Sequence, residues 1–234
     1  MSNIANMKKI NNYIILLLAV IVLPLITSCF KDSDADNSFG ILDDKEKVEY
    51  LKKMKGTYNG KCYYSYLGKG DNNAPVLKED SLMNVTWTLL ENGDITISKL
   101  PVSMITGALN GGSQFAFLSD AISKCTDVTV EGKVVPYRTI NNWDYPFYIY
   151  PKENITLNVE DKGRKYKVVL YFDNVIKLFG LNFTMEGVCK IHENQMLFTL
   201  PIGSISVNDV QSGATPSMYR YLGAKKAEEQ DKKN

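Results

Sequence analysis

A chain of 234 residues that is 44% hydrophobic and 23% charged has the makeup of a folded domain, which excludes the disordered and fibrous classes. A formal net charge of +1, with basic residues that are mostly lysine, leaves no electrostatic footprint for nucleic acid, so no nucleic-acid partner is expected. One histidine and four widely spaced cysteines supply none of the usual metal-ligand spacings, and no cofactor is expected.

The chain opens with Lys8 and Lys9, then an apolar run over 13–26 that ends in Ile26-Thr27-Ser28-Cys29. A basic start, a short apolar stretch and small residues before a cut site are the parts of a secretory signal peptide. A spanning helix needs about 20 apolar residues; this run is shorter and contains Pro24. Residues 1–28 are therefore expected to be removed. Residues 29–41 are acidic and lack apolar periodicity, as a flexible tether does.

The segment 43–56 predicts a short helix. Acidic residues open it, lysines fill its end and Gly56 stops it, as the helix dipole and capping preferences require. Val48, Leu51 and Met54 form its apolar stripe. From Thr57 the period becomes that of strands, over 57–67, 82–90 and 95–100, with Trp87 in the second and an Asn92-Gly93 hairpin turn before the third. Residues 115–122 suggest a short helix. Strands resume over 126–135, 143–150, 155–159, 166–172, 183–191, 196–200 and 202–207. About ten short strands predict an all-β domain over 42–215, an antiparallel barrel or a two-sheet sandwich. Residues 216–234 read as a polar C-terminal tail.

Cys62, Cys125 and Cys189 remain after residue 29. They are read as free, buried thiols behaving as small apolar residues, with one disulfide plus a free thiol as the alternative. His192, the only histidine, falls in a turn, and no G-x-S-x-G, HExxH or phosphate-cradling loop is present. The expectation is a non-catalytic protein. A small hydrolase would need a carboxylate pair drawn from Glu91, Asp94, Glu131, Asp144, Glu160, Asp173, Glu186 and Glu193. Glu186 stands out because it lies inside an apolar strand, where alternation turns it to solvent.

The stretch Trp143-Asp144-Tyr145-Pro146-Phe147-Tyr148-Ile149-Tyr150 is the best binding candidate. Flat rings beside Asp and Asn side chains can stack on sugar faces and give large contact area. Trp143, Tyr145 and Tyr148 are the ligand-binding candidates. The alternative is an ordinary strand with one face in the core.

Cys29, placed directly after small residues, resembles the lipidated cysteine of bacterial lipoprotein signals. With the Lys and acidic residues that follow it, the opening resembles Bacteroidetes-type surface lipoproteins of unknown function. Leu51-x-x-Met54-x-Gly56-Thr57-Tyr58-x-Gly60 looks like the helix-then-strand opening of their lipocalin-like members. The resemblance implies lipidation at Cys29 and attachment to the outer membrane, at the cell surface or, as the alternative, in the periplasmic leaflet. It also implies a barrel that holds a small ligand inside or at its mouth. The function expected is that of a lipid-anchored module binding a glycan or small apolar ligand. The alternatives are a structural or adhesin-like subunit with envelope protein partners, and a small hydrolase.

Overall fold

The computed structural model describes residues 42–71, 74–110, 113–138, 144–178, 181–214 and 216–227. The expected signal peptide, tether and Cys29 lie outside the described residues, as does Trp143.

The chain enters through helix α1 (Asp44–Met54). Asp43 caps it: its carboxylate accepts from the Glu46 N–H at 2.8 Å, and the Glu46 carboxylate accepts from the Asp43 N–H at 3.0 Å. This reciprocal pair satisfies two of the orphan donors at a helix start. Glu46 also holds Arg138 in an ion pair. Leu51 and Met54 are buried, whereas Val48 is exposed, so the apolar stripe is one residue shorter than expected.

The strands are β1 (Gly56–Lys69), β2 (Pro75–Leu89), β3 (Asp94–Leu100), β4 (Val128–Pro136), β5 (Asp144–Pro151), β6 (Ile155–Asp161) and β7 (Arg164–Phe172). They continue as β8 (Val175–Leu178), β9 (Leu181–Thr184), β10 (Glu186–Lys190), β11 (Gln195–Val207), β12 (Val210–Gln211) and β13 (Ser217–Lys225). The pairing order β10-β5-β4-β3-β2-β1-β13-β11 closes on itself through β10–β11, giving an antiparallel eight-stranded barrel. Closure removes the open edges that a flat sheet would expose. The barrel alternative, not the sandwich, is thus the architecture. β11 is long enough to leave the barrel: its first half pairs with β10 and β13, and its second half with β7, which carries β6 as a side wing.

The C-terminal tail reading is corrected over Ser217–Lys225. β13 pairs with β1 on one side and β11 on the other, and Tyr219 and Tyr221 are fully buried. A strand with two neighbours and an aromatic inner face is a barrel wall. Two further strand stretches go beyond those the sequence pattern predicts, the first half of β2 and β8, and the single strand expected over 183–191 is divided between β9 and β10.

The barrel interior is filled by side chains. The Trp87 ring stacks on Tyr58 at 5.9 Å and meets Phe198 and Tyr221 edge-on at 5.4 and 5.8 Å. Its indole N–H donates to the Met196 sulfur at 3.2 Å, which satisfies the one polar group the ring buries. Gly223 makes room for it: a Cβ there would lie 2.5 Å from the Trp87 ring. At the α1 end, the Tyr58 hydroxyl donates to the Met54 carbonyl. The other end is covered by helical turns over Val102–Ile105, α2 (Thr106–Asn110), Ala116–Leu118 and α3 (Ser119–Ile122). Ile105, Leu109, Leu118 and Ile122 are fully buried there, and the Tyr219 hydroxyl donates to the Pro101 carbonyl at 3.2 Å. An interior of this kind is core, as in other small barrels filled by their side chains.

Cys62, Cys125 and Cys189 are all free thiols, the first and last buried. Burial pushes the Cys62 thiol up to about 12, so it stays protonated and unreactive. The alternative of one disulfide among them is not realised. Among the described residues no helix is long and apolar enough to cross a membrane.

Candidate functional site

Alternation along β5 separates the aromatic candidates. Phe147 and Ile149 point inward and are buried, while Tyr148 and Tyr150 point outward, 38% and 44% exposed. Tyr145 is three residues from Tyr148 and so has the opposite parity. It lies under α1: its ring meets Tyr50 edge-on at 4.6 Å, and Lys53 Nζ donates to its hydroxyl at 3.2 Å. Tyr145 and Tyr148 therefore share no surface, as their opposite parities along the strand require. Tyr145 ties the helix to the barrel.

Tyr148 instead joins a different pair of rings. Tyr137, just past the end of β4, is held by its N–H bond to the Pro146 carbonyl at 3.1 Å. Its ring stacks on Tyr148 with centroids 4.8 Å apart, and Tyr150 follows at 6.3 Å from Tyr148. The result is a strip of three tyrosines on the outer face of β4 and β5. Its neighbour on the other side is Glu186 of β10, paired directly with Tyr148 in register.

Glu186 sits on the outer face but is half-buried. Burial pushes its carboxyl above the usual carboxylate range, and interaction with the Thr184 side chain pulls it partly back. Its charge in turn adds to the burial that raises the Tyr137 and Tyr148 phenols. A carboxyl whose folded pKa is raised contributes stability below its unfolded value, near 4.3, and loses it as pH rises through the folded value. Glu186→Gln is therefore expected to raise the urea midpoint relative to wild type at pH 7, with the gain shrinking toward zero at pH 3. Paired urea titrations at the two pH values check this; a gain confined to pH 3 would contradict the assignment.

The strip runs into a cleft of about 260 Å³ where the β5–β6 turn meets the end of β7. Tyr150, Pro151, Phe172 and Met185 supply apolar lining; Lys152, Glu153, Asn154 and Asn174 supply polar groups. The walls are pinned by backbone bonds, Met185 N–H to the Asn174 carbonyl at 3.2 Å and Ile149 N–H to the Met185 carbonyl at 3.0 Å. Asn154 Oδ1 accepts from the Phe172 N–H at 3.1 Å. Lys152 is neutralised by Glu131, with Nζ and Oε2 2.9 Å apart.

The remaining carboxylate candidates are dispersed. Glu91 pairs with Lys55, Asp94 with Lys133 and Glu193 with Lys190, each at a turn. His192 is exposed in a turn over Ile191–Glu193. Among the described residues no cluster of three or more potential metal ligands occurs.

Sequence reasoning reaches Tyr148 and flags Glu186. It misses Tyr137 and the cleft residues Phe172, Asn174 and Met185. These come from separate segments joined only by strand register, a relation no local pattern displays.

In comparisons with known proteins, the family model described as "Domain of unknown function (DUF4840)" matches residues 53–207. That span begins inside α1 and stops short of β13. No curated protein and no solved structure matches the chain.

Proposed function

The chain belongs to the DUF4840 family, and from that premise we propose that it is a lipid-anchored, non-catalytic envelope protein that binds a glycan through the tyrosine strip on the outside of its barrel. The observation that carries the reading is the strip itself: Tyr137, Tyr148 and Tyr150 in ring contact on a surface, beside the Glu186 carboxyl. Aromatic faces meet the C–H faces of pyranose rings, and a carboxylate accepts from sugar hydroxyls. Exposed rings on a rigid strand lose little conformational entropy on binding.

The filled interior weighs against the small apolar ligand. An internal cavity would have to be opened by displacing Trp87 and its ring partners, at the cost of packing that holds the barrel together. Attachment through Cys29 is retained from the sequence of residues 1–41, with the outer membrane as the site and the cell surface as the side.

A second reading, a subunit of an envelope complex, draws on Met83 and Leu222. These are exposed apolar side chains that flank Lys61 across β2, β1 and β13 on the same outer surface. The strip offers more to a ligand, because it combines apolar faces with a convergent polar group.

Tyr148→Ala combined with Tyr150→Ala is expected to weaken glycan binding about tenfold or more, since each stacked ring is worth about 0.5–1.5 kcal/mol. Both residues are exposed, so the melting temperature should stay close to that of wild type. Isothermal titration with an array-selected glycan, alongside a thermal melt, checks both. Unchanged affinity in the folded double variant would remove the strip from the function.

A further inference from the structure

We infer that the cleft at the end of the tyrosine strip is a subsite for the acetamido group of a neutral N-acetylated amino sugar. The inference rests on the glycan reading and names the class of sugar that reading takes.

The cleft is continuous with the strip, since Tyr150 belongs to both. A sugar stacked over Tyr148 and Tyr150 therefore has one end of its ring at the cleft mouth. The lining there is of two kinds. Phe172, Met185 and Pro151 are apolar, and Met185 is buried. Asn154 and Asn174 are carboxamides. Asn154 commits its Oδ1 to the Phe172 N–H, so its Nδ2 is the group left to donate. Asn174 uses its backbone carbonyl to hold Met185, and it is an exposed residue of the cleft lining.

A plain hexose fits this lining poorly. Each of its ring substituents is a hydroxyl or a hydroxymethyl group, and a hydroxyl pressed on Phe172 and Met185 would be stripped of water without a partner. An acetamido group divides the same way the cleft does. Its methyl belongs against Phe172 and Met185, and its amide carbonyl and N–H match carboxamide donors and acceptors.

The charges point to a neutral sugar. Lys152 is the cation of the lining, and Glu131 already holds it at 2.9 Å. Glu153 adds a carboxylate to the rim, and Glu186 lies beside the strip. A carboxylated or sulfated sugar would meet two acidic groups and a cation that is already paired, and like-charge juxtaposition disfavours it.

The test is titration calorimetry of the full chain in detergent micelles with two matched probes, the β1,4-linked tetrasaccharides of N-acetylglucosamine and of glucose. Wild type is expected to prefer the acetamido probe by about tenfold or more, as a site built to pair a polar group rejects the analogue lacking it. Asn174→Ala should cut that preference to about threefold or less while leaving glucose-probe affinity unchanged. Tyr148→Ala should weaken both probes.

Equal affinity for the two probes in wild type, with both weakened by Tyr148→Ala, overturns the acetamido subsite and leaves the glycan reading standing. Retention of the full preference in Asn174→Ala also overturns the subsite. No binding of either probe, together with a blank glycan array, overturns both.

Discussion

A chain ending at Gly213 is expected to give no cooperative unfolding transition, whereas a chain ending at Ala227 should unfold like the full sequence. The difference is β13. It pairs along its length with β1 and with β11, so removing it opens the barrel and leaves two strand edges unpaired. It also removes the fully buried Tyr219 and Tyr221. Truncating one large aromatic in a core costs about 3–5 kcal/mol. Two such losses are comparable to a whole domain's stability of about 5–15 kcal/mol. Tyr221 is also stacked on Phe198 at 4.7 Å and edge-on to Trp87, so its neighbours lose their packing as well. Urea unfolding followed by circular dichroism separates the two chains. A cooperative transition near the full-length midpoint for the shorter chain would show that β13 is not a structural wall. The practical consequence is that the segment 53–207 matched by the family model stops before a strand the barrel needs.

Trp87→Ala is the single substitution with the largest expected effect, a loss of about 3–5 kcal/mol. Trp87 is fully buried at the centre of an aromatic cluster in which Tyr58, Phe198 and Tyr221 touch it on three sides. The ring pairings add about 0.5–1.5 kcal/mol each beyond burial. The surrounding strands are hydrogen-bonded on both sides and can relax little, so the site is one where a cavity persists. Trp87→Phe should recover part of the loss, because it keeps a ring in the cluster while giving up the indole bond to Met196. Chemical denaturation of the three proteins tests the order wild type, Phe, Ala. An Ala variant within about 1 kcal/mol of wild type would mean that the interior can collapse, against the claim that the barrel is rigidly filled.

How much of the fold was legible in the sequence depended on whether the physics was local. The α1 start is local: Asp43 and Glu46 stand three apart, and the capping box forms as that spacing allows. The turn before β3 is local too, with Gly93 at φ +88 and a Cβ there 2.9 Å from the Val134 carbonyl. The first half of β2 was not legible because residues 75–81 are exposed on both faces and carry Lys78-Glu79-Asp80. A strand that buries neither face has no alternation to read. β13 does alternate, with Tyr219 and Tyr221 on one parity around Arg220. Pro216 and the lysines beyond it give the segment the composition of a tail, and composition outweighed a short pattern.

The same distinction governs the site. The opposed parities of Tyr145 and Tyr148 follow from strand geometry alone. That Tyr145 is covered by α1 and that Tyr137 stacks on Tyr148 follow from how elements are packed, which sequence spacing does not carry. Glu186 turns outward as alternation predicts, yet it is half-buried, and its place beside Tyr148 exists only because β10 pairs with β5.

Recognition on the outside of a filled barrel is tested most directly by an amide NMR titration of the full chain with a pooled glycan library. The predicted result is a set of shift changes confined to Tyr137, Tyr148, Tyr150, Asn154, Asn174 and their strand neighbours, with the Trp87 indole N–H unmoved. Changes centred on Trp87, Met196 and Tyr221 would place the ligand inside the barrel and contradict recognition at the outer strip.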